Sequence, residues 1–359
     1  MKLVSKALLA ALAAALLVLA AVPAGAQDAR ATFSINTTKM IMPMPPGVPA
    51  GLLGGITAPH RQVTMLVDSP GAAPDNATAT LDLPSGLKLG NTVDLSIMRP
   101  KPTPGGTPAN AQVNVVLYWG CGDMVQAGQP TRVNLNDQLR TLLQRVSPGA
   151  GGVGSTTLAM YPGGMQTGRR PGGSGILAGD ASAVGAYALH TSYTGNVDFT
   201  VAPEQDFLAP VDVTAPTGDG TPDLTRSITV SWKQVPHALG YRVMAVSMKK
   251  AEGGVREMVV WTAGTISPFA GNQGDYTDAA QAVRDGVLLA PDDTTCTIPA
   301  NILAGGQMAT LMVEAVGPVR SIGGQPKLHV STSSMTTVML SALFGGGGLL
   351  GGTRPPMGE

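Results

Sequence analysis

The sequence predicts an all-β protein built as two β-sandwich domains, and three observations carry that expectation. Gly 47 and Pro 29, with only 13% charged residues, favour short strands joined by frequent turns over long helices. Apolar and polar residues alternate with period two in a series of short stretches, as in a strand with one face on a core and the other in water. Turn signals rich in Gly, Pro, Asp and Ser separate these stretches in the manner of a sandwich.

Residues 1–26 read as a signal peptide. Lys2 and Lys6 form a basic start, residues 7–22 an apolar run, Pro23 breaks its helix, and Ala24-Gly25-Ala26 fits the small-x-small cleavage pattern. Cleavage after Ala26 starts the mature chain at Gln27, and the apolar run is short for a bilayer span of ~20 residues. The expected address is therefore exported, periplasmic or extracellular, with no transmembrane segment after cleavage. A mature chain of about 330 residues is long for one sandwich and comfortable for two.

The N-terminal domain is expected over 27–207. Its first strand reads at 31–35, followed by a Met- and Pro-rich loop at 39–59. Further strands read at 62–67, 77–83, 92–98 and 112–118. A helix is expected at 137–146, where Asn136 is a candidate cap and Leu139, Leu142, Leu143 and Val146 share one face. Loops at 147–154 and 161–175 follow, then strands at 183–192 and 196–202 and a boundary near 207–210.

The second domain is expected over 208–340. Within 227–246, Ile228, Val230 and Trp232 alternate with Thr229 and Ser231, Pro236 and Gly240 turn the chain, and Tyr241, Val243 and Ala245 begin another strand. This stretch resembles the B-turn-C segment of a fibronectin type III domain, in which a buried Trp closes the first strand and a Tyr opens the second. By the same resemblance, 294–303 is similar to the E strand and its corner, and 308–316 to the F strand. Ala309 or Leu311 stands where many members carry the corner Tyr of strand F. Between these lie a strand at 256–263 with Trp261 and a polar insertion at 268–282, and 328–339 supplies a last strand. Residues 341–359, including the consecutive glycines Gly345 to Gly348, read as a flexible Gly-rich tail.

Charge and composition narrow the function classes. The formal net charge is +0. Losing Lys2 and Lys6 leaves about −2, which offers no basic face to nucleic acid. Aromatic residues make up 4% of the chain, too few for a stacking surface. The two cysteines, Cys121 and Cys296, leave two alternatives open. A disulfide between them would close a loop of about 175 residues and contribute up to roughly 5 kcal/mol, or both could stand as small buried thiols.

The most distinctive motif is Tyr118-Trp119-Gly120-Cys121-Gly122-Asp123, followed by Gly128-Gln129-Pro130. It resembles a motif of uncharacterised exported bacterial proteins, a likeness that implies a family and no activity. Read as chemistry, Cys121 is a candidate nucleophile, with Asp123 beside it and His190 as a candidate base. Read as structure, a strand ends here, the glycines turn the chain, and Trp119 packs beneath.

Met40, Met42 and Met44 alternate, so that in a strand their thioethers would share a face and suit Cu(I). Pro43, Pro45 and Pro46 interrupt them, which favours packing over ligation. Residues 149–154 match the spacing of a dinucleotide fingerprint but lack the preceding strand and following helix that it needs. His60, His190, His237 and His329 are scattered without metal-ligand spacing, so no bound cofactor is expected.

Two functional readings follow. The first is an exported non-enzymatic structural or interaction protein of the bacterial cell envelope or extracellular space, meeting a protein or glycan partner through loops such as 236–240 and 268–282. The alternative is a secreted hydrolase or ligand-processing enzyme with Cys121 as nucleophile.

Overall fold

The computed structural model describes residues 29–43, 57–69, 73–98, 113–134, 157–163, 177–216, 221–250, 256–267 and 278–341. The strands of the first half are β1 (Arg30–Ile41), β2 (His60–Ser69), β3 (Ala79–Asp82), β4 (Thr92–Asp94) and β5 (Ser96–Met98). They continue with β6 (Val113–Trp119), β7 (Thr131–Asn134), β8 (Thr157–Gly163), β9 (Gly185–Thr191) and β10 (Val197–Val201). The second half adds β11 (Val213–Ala215), β12 (Ile228–Trp232), β13 (Gly240–Lys250) and β14 (Arg256–Thr262). After a short helix, α1 (Ala279–Arg284), come β15 (Thr295–Ile298), β16 (Gln307–Ile322) and β17 (Lys327–Met339). The all-β expectation holds.

These strands form three sheets. The largest has ten strands in the order β5-β8-β2-β1-β17-β16-β13-β14-β6-β7, and the others run β10-β9-β3-β4 and β11-β12-β15. Chain from before and after residue 207 interleaves in the large sheet. β1 pairs in parallel with β17 along its whole length, and β6 pairs in parallel with β14.

Both small sheets pack on one face of the large one, and each closes a core. The first core joins Phe33, Ile35, Val63 and Met65 of the large sheet to Leu81, Tyr187, Leu189 and Phe199 of the four-stranded sheet. Its centre is aromatic, with the Phe33 and Phe199 rings 4.8 and 5.3 Å from Tyr187 and Phe33 respectively, and Tyr187 stacked on Phe199 at 4.9 Å. Tyr187 donates its hydroxyl to the Ala183 carbonyl at 2.6 Å, so the ring is buried without an unmet polar end. The second core joins Tyr241, Val243, Trp261, Leu311 and Val313 to Val230, Trp232, Cys296 and Ile298. There the Val235 N–H donates to the Tyr241 hydroxyl at 2.7 Å, which ties the turn after β12 to the strand that follows it.

β17 serves both cores. Its inward residues Leu328 and Val330 belong to the first, and Val338 with the following Leu340 to the second. Between them the inward positions are Thr332, Ser334 and Thr336, buried yet polar. The reason lies in the link between the halves. The Thr37, Thr332 and Thr336 hydroxyls donate to the carbonyls of Leu208, Gln205 and Val211 at 2.7, 2.9 and 2.6 Å. The non-strand backbone crossing the sheet therefore finds donors that an apolar surface would deny it. Phe207 packs against the first core while Leu208 belongs to the second.

Four local expectations need correction. β1 runs on to Ile41, beyond the expected end at 35, because the Thr37 hydroxyl bond lets a polar residue hold an inward position and the pairing with β17 continues. The single strand expected at 92–98 is two strands in different sheets: Val93 pairs with Leu81, and Ile97 with Ala159. Leu95, 5% exposed, is the pivot between them. β8 begins at Thr157 and includes Tyr161, where a loop was expected from 161. Within the polar insertion, α1 forms because the Asp278 carboxylate accepts from the Ala280 and Gln281 N–H groups and Ala279 and Ala282 bury against Leu288. The helix expected at 137–146, the glycine-rich 149–154 and the tail beyond 341 lie outside the described residues.

Candidate functional site

The Tyr118–Asp123 motif lies where the large sheet meets the three-stranded sheet. β6 carries Tyr118 and Trp119 alongside β14, and the parallel ladder extends one step further as the Gly120 N–H donates to the Thr262 carbonyl at 2.9 Å. Gln129 then clamps Trp119: its carboxamide accepts from the Trp119 N–H and donates to the Trp119 carbonyl, both at 2.9 Å. Gly120 has φ 88°, and a Cβ there would stand 2.4 Å from the Gln126 amide nitrogen. A side chain at 120 therefore meets backbone strain, and the flexible Gln126 carboxamide would have to swing aside. The fully buried Trp261 donates its indole N–H to the Gly120 carbonyl at 2.9 Å.

Beyond the glycine the chain is stapled. Cys121 and Cys296 form a disulfide with their Cα atoms 5.3 Å apart, so both cysteines are paired rather than free. The Gly122 N–H donates to the Thr297 carbonyl at 2.9 Å, and the Ala300 N–H donates to the Asp123 carbonyl at 3.1 Å. Thus Cys121 sits inside a short backbone ladder along β15 and its sequel. Cys296 itself is 4% exposed and opposes Val230 on β12.

The candidate catalytic residues are not brought together as a set. The Cys121 sulfur is bonded to Cys296 and has no thiol to ionise, which removes the form a nucleophile requires. Asp123 is close to Cys121 in the chain, and its backbone carbonyl accepts from the Ala300 N–H just beyond β15. His190 stands on β9 of the four-stranded sheet, over the other core. Its Nε2 meets Asp82 Oδ2 at 3.1 Å, and the Thr92 hydroxyl donates to Asp82 Oδ1 at 2.6 Å. The Thr92 hydrogen bond, and then that from His190, hold the Asp82 carboxyl below its usual range. Burial pushes the Tyr118 phenol up, with Arg132 opposing.

Of the candidate soft ligands, Met40 lies on β1 opposite Thr337, Met42 follows the end of β1, and Met44 is outside the described residues. Among the described residues no group of three His, Cys, Asp or Glu side chains is placed to hold a metal ion. Sequence reasoning missed the roles of Gln129 and Trp261. The Gly-Gln-Pro string after the motif marks Gln129, but nothing in local spacing tells that its amide folds back on Trp119. No helix among the described residues is long and apolar enough to cross a membrane.

No family model matches the chain, and no curated protein matches it either. Among solved structures it is similar to the Fcho1 Mu homology domain of Danio rerio with a bound Eps15 peptide. That likeness has 9% sequence identity and a TM-score of 0.17, covering 87% of this chain and 97% of the other. A score at that level supports no argument about fold or function.

Proposed function

We propose that this chain is an exported, non-enzymatic structural or interaction protein of the bacterial cell envelope or extracellular space. The observation that carries the reading is the Cys121–Cys296 disulfide, which joins a loop of the first half to a strand of the second. Such bonds persist in oxidising compartments, in keeping with the basic start, apolar run and Ala24-Gly25-Ala26 of the first 26 residues. With the sheet shared by both cores, the staple favours a rigid body suited to presenting loops and faces to a partner. The fibronectin type III-like reading of the second half draws support from its layers: β11-β12-β15 on one side, β14-β13-β16-β17 on the other.

The test is expression of the full sequence in a bacterial host with an oxidising periplasm, followed by mass spectrometry under non-reducing conditions. The expected result is an N-terminus at Gln27 in the exported fraction and a linked Cys121–Cys296 peptide pair. An intact Met1 in the cytoplasmic fraction with both thiols free would overturn the reading. Rapid alkylation of Cys121 in the native protein, with matched turnover of a substrate, would overturn its non-enzymatic part.

A further inference from the structure

The two ends of the Cys121–Cys296 bond stand in unlike surroundings. Cys296, on β15, is 4% exposed and belongs to the second core with Val230, Trp232 and Ile298. Cys121 is exposed, as are Asp123, Met124 and residues 126–128 of the loop that follows it. Its chain neighbours are glycines, and a Cβ placed at Gly122 would meet nothing nearer than the Met124 carbonyl oxygen at 3.8 Å. The Cys121 sulfur lies 3.6 Å from the Ala263 carbonyl oxygen. One end of the bond thus faces solvent across an open turn, and the other is sealed in the core.

The turn also keeps its place without the sulfurs. The Gly120 and Gly122 N–H groups donate to the Thr262 and Thr297 carbonyls, and Trp261 donates to the Gly120 carbonyl. Gln129 holds Trp119 from both sides. Opening the bond therefore leaves Cys121 beside Cys296 in a folded chain.

Exchange at a disulfide depends on which sulfur a thiolate can reach and on how readily the other sulfur leaves. Leaving-group chemistry alone favours attack at Cys296, since the departing Cys121 thiolate would be solvated. That route requires a charged thiolate to enter an apolar core, which desolvation opposes more strongly. Access decides, and the attack falls on Cys121.

We infer that the Cys121–Cys296 bond is a thiol–disulfide exchange site for a dithiol, with the Cys121 sulfur as the point of attack. The first thiolate of the dithiol bonds to Cys121 Sγ. The Cys121–Cys296 bond breaks, and its electron pair leaves on Cys296 Sγ, which takes a proton from solvent. A reagent with one thiol is then expelled by return attack of Cys296, which the backbone bonds hold close. In a dithiol the second thiolate attacks the reagent's own bonded sulfur, closing the reagent's disulfide and releasing Cys121 as a thiolate on the exposed turn. The dithiol is oxidised to its disulfide and the two cysteines are reduced to thiols, so two electrons and two protons pass to the chain. The inference rests on the bond that carries the functional reading above, and not on export.

The experiment treats the oxidised full chain, without denaturant, with dithiothreitol as the dithiol and 2-mercaptoethanol as the monothiol. Samples are quenched in acid, alkylated with N-ethylmaleimide and read by peptide mass spectrometry. The rate of opening should rise in proportion to dithiothreitol concentration, and 2-mercaptoethanol adducts on Cys121 should exceed those on Cys296 roughly tenfold. At matched thiol concentration the monothiol should leave most of the chain closed. A rate that saturates with dithiothreitol would show that the core must open first, and would overturn the inference. Adducts equal on both cysteines, or mainly on Cys296, would overturn the assignment of the attacked sulfur. Equal opening by the two reagents would refute recapture by Cys296 and with it the preference for a dithiol.

Discussion

Replacing both cysteines, Cys121→Ala with Cys296→Ala, removes a bond that closes a separation of 175 residues. In the chain-entropy account a loop of that length limits the unfolded ensemble by about 5 kcal/mol at 25 °C. The folded side changes little. The Gly122–Thr297 and Asp123–Ala300 backbone bonds, the Gln129 clamp and the Trp261 bond to Gly120 all hold the loop without the sulfurs. The loss therefore acts mainly through the unfolded chain, and at about 2 °C per kcal/mol for a chain of this size the Tm falls by about 10 °C. The assay is calorimetry of three samples: oxidised natural protein, the same protein in reductant, and the double variant. The last two should coincide about 10 °C below the first. A double variant melting within about 1 °C of the oxidised protein would refute the loop-closure reasoning, since a bond of this span cannot then be restraining the unfolded state.

Other expectations concern the seam, the turn and one carboxylate. Thr332→Val or Thr336→Val leaves the buried Gln205 or Val211 carbonyl without its donor and should cost about 1–3 kcal/mol in urea unfolding. Ser334→Ala, which removes a buried hydroxyl with no partner among the described residues, should leave stability unchanged or raise it. Gly120→Ala should destabilise by about 1–3 kcal/mol in the same assay, through its φ of 88°. Burial raises the Asp68 pKa, with Arg30 opposing. A raised carboxyl favours the fold while protonated, and that contribution is lost as pH rises through the folded-state value. Asp68→Asn should therefore raise the Tm at neutral pH and lose that advantage on acidification below the ordinary carboxylate range. A gain that persisted unchanged at low pH would contradict the assigned cause.

Much of the local structure was legible because strand alternation is written in neighbouring residues. Ile228, Val230 and Trp232 alternate, and β12 spans Ile228–Trp232 as read. β17, expected at 328–339, runs Lys327–Met339. Legibility failed where a polar residue holds an inward position, as Thr37 does in β1, because its partner is the Leu208 carbonyl 171 residues away. It failed again at Leu95, where the chain changes sheets within an unbroken alternation, since period two records a buried face and not which sheet supplies it. At the candidate site, Gly120 and Cys121 could be singled out from type and spacing. The Gln129 clamp and the indole bond from Trp261 could not, because side-chain direction across strands is a tertiary fact.

By itself, the sequence determined the all-β class, most strand positions and the choice of residues able to face a core, since these depend on periodicity and turn chemistry within a few residues. Only the tertiary structure decided that β1 and β17, nearly the whole chain apart, pair in parallel and place both cores on one sheet. It also decided that Cys121 and Cys296 meet rather than remain separate thiols. Those outcomes turn on which strand edges and loops come together in space, and hydrogen-bonding edges look alike along the chain until packing selects among them.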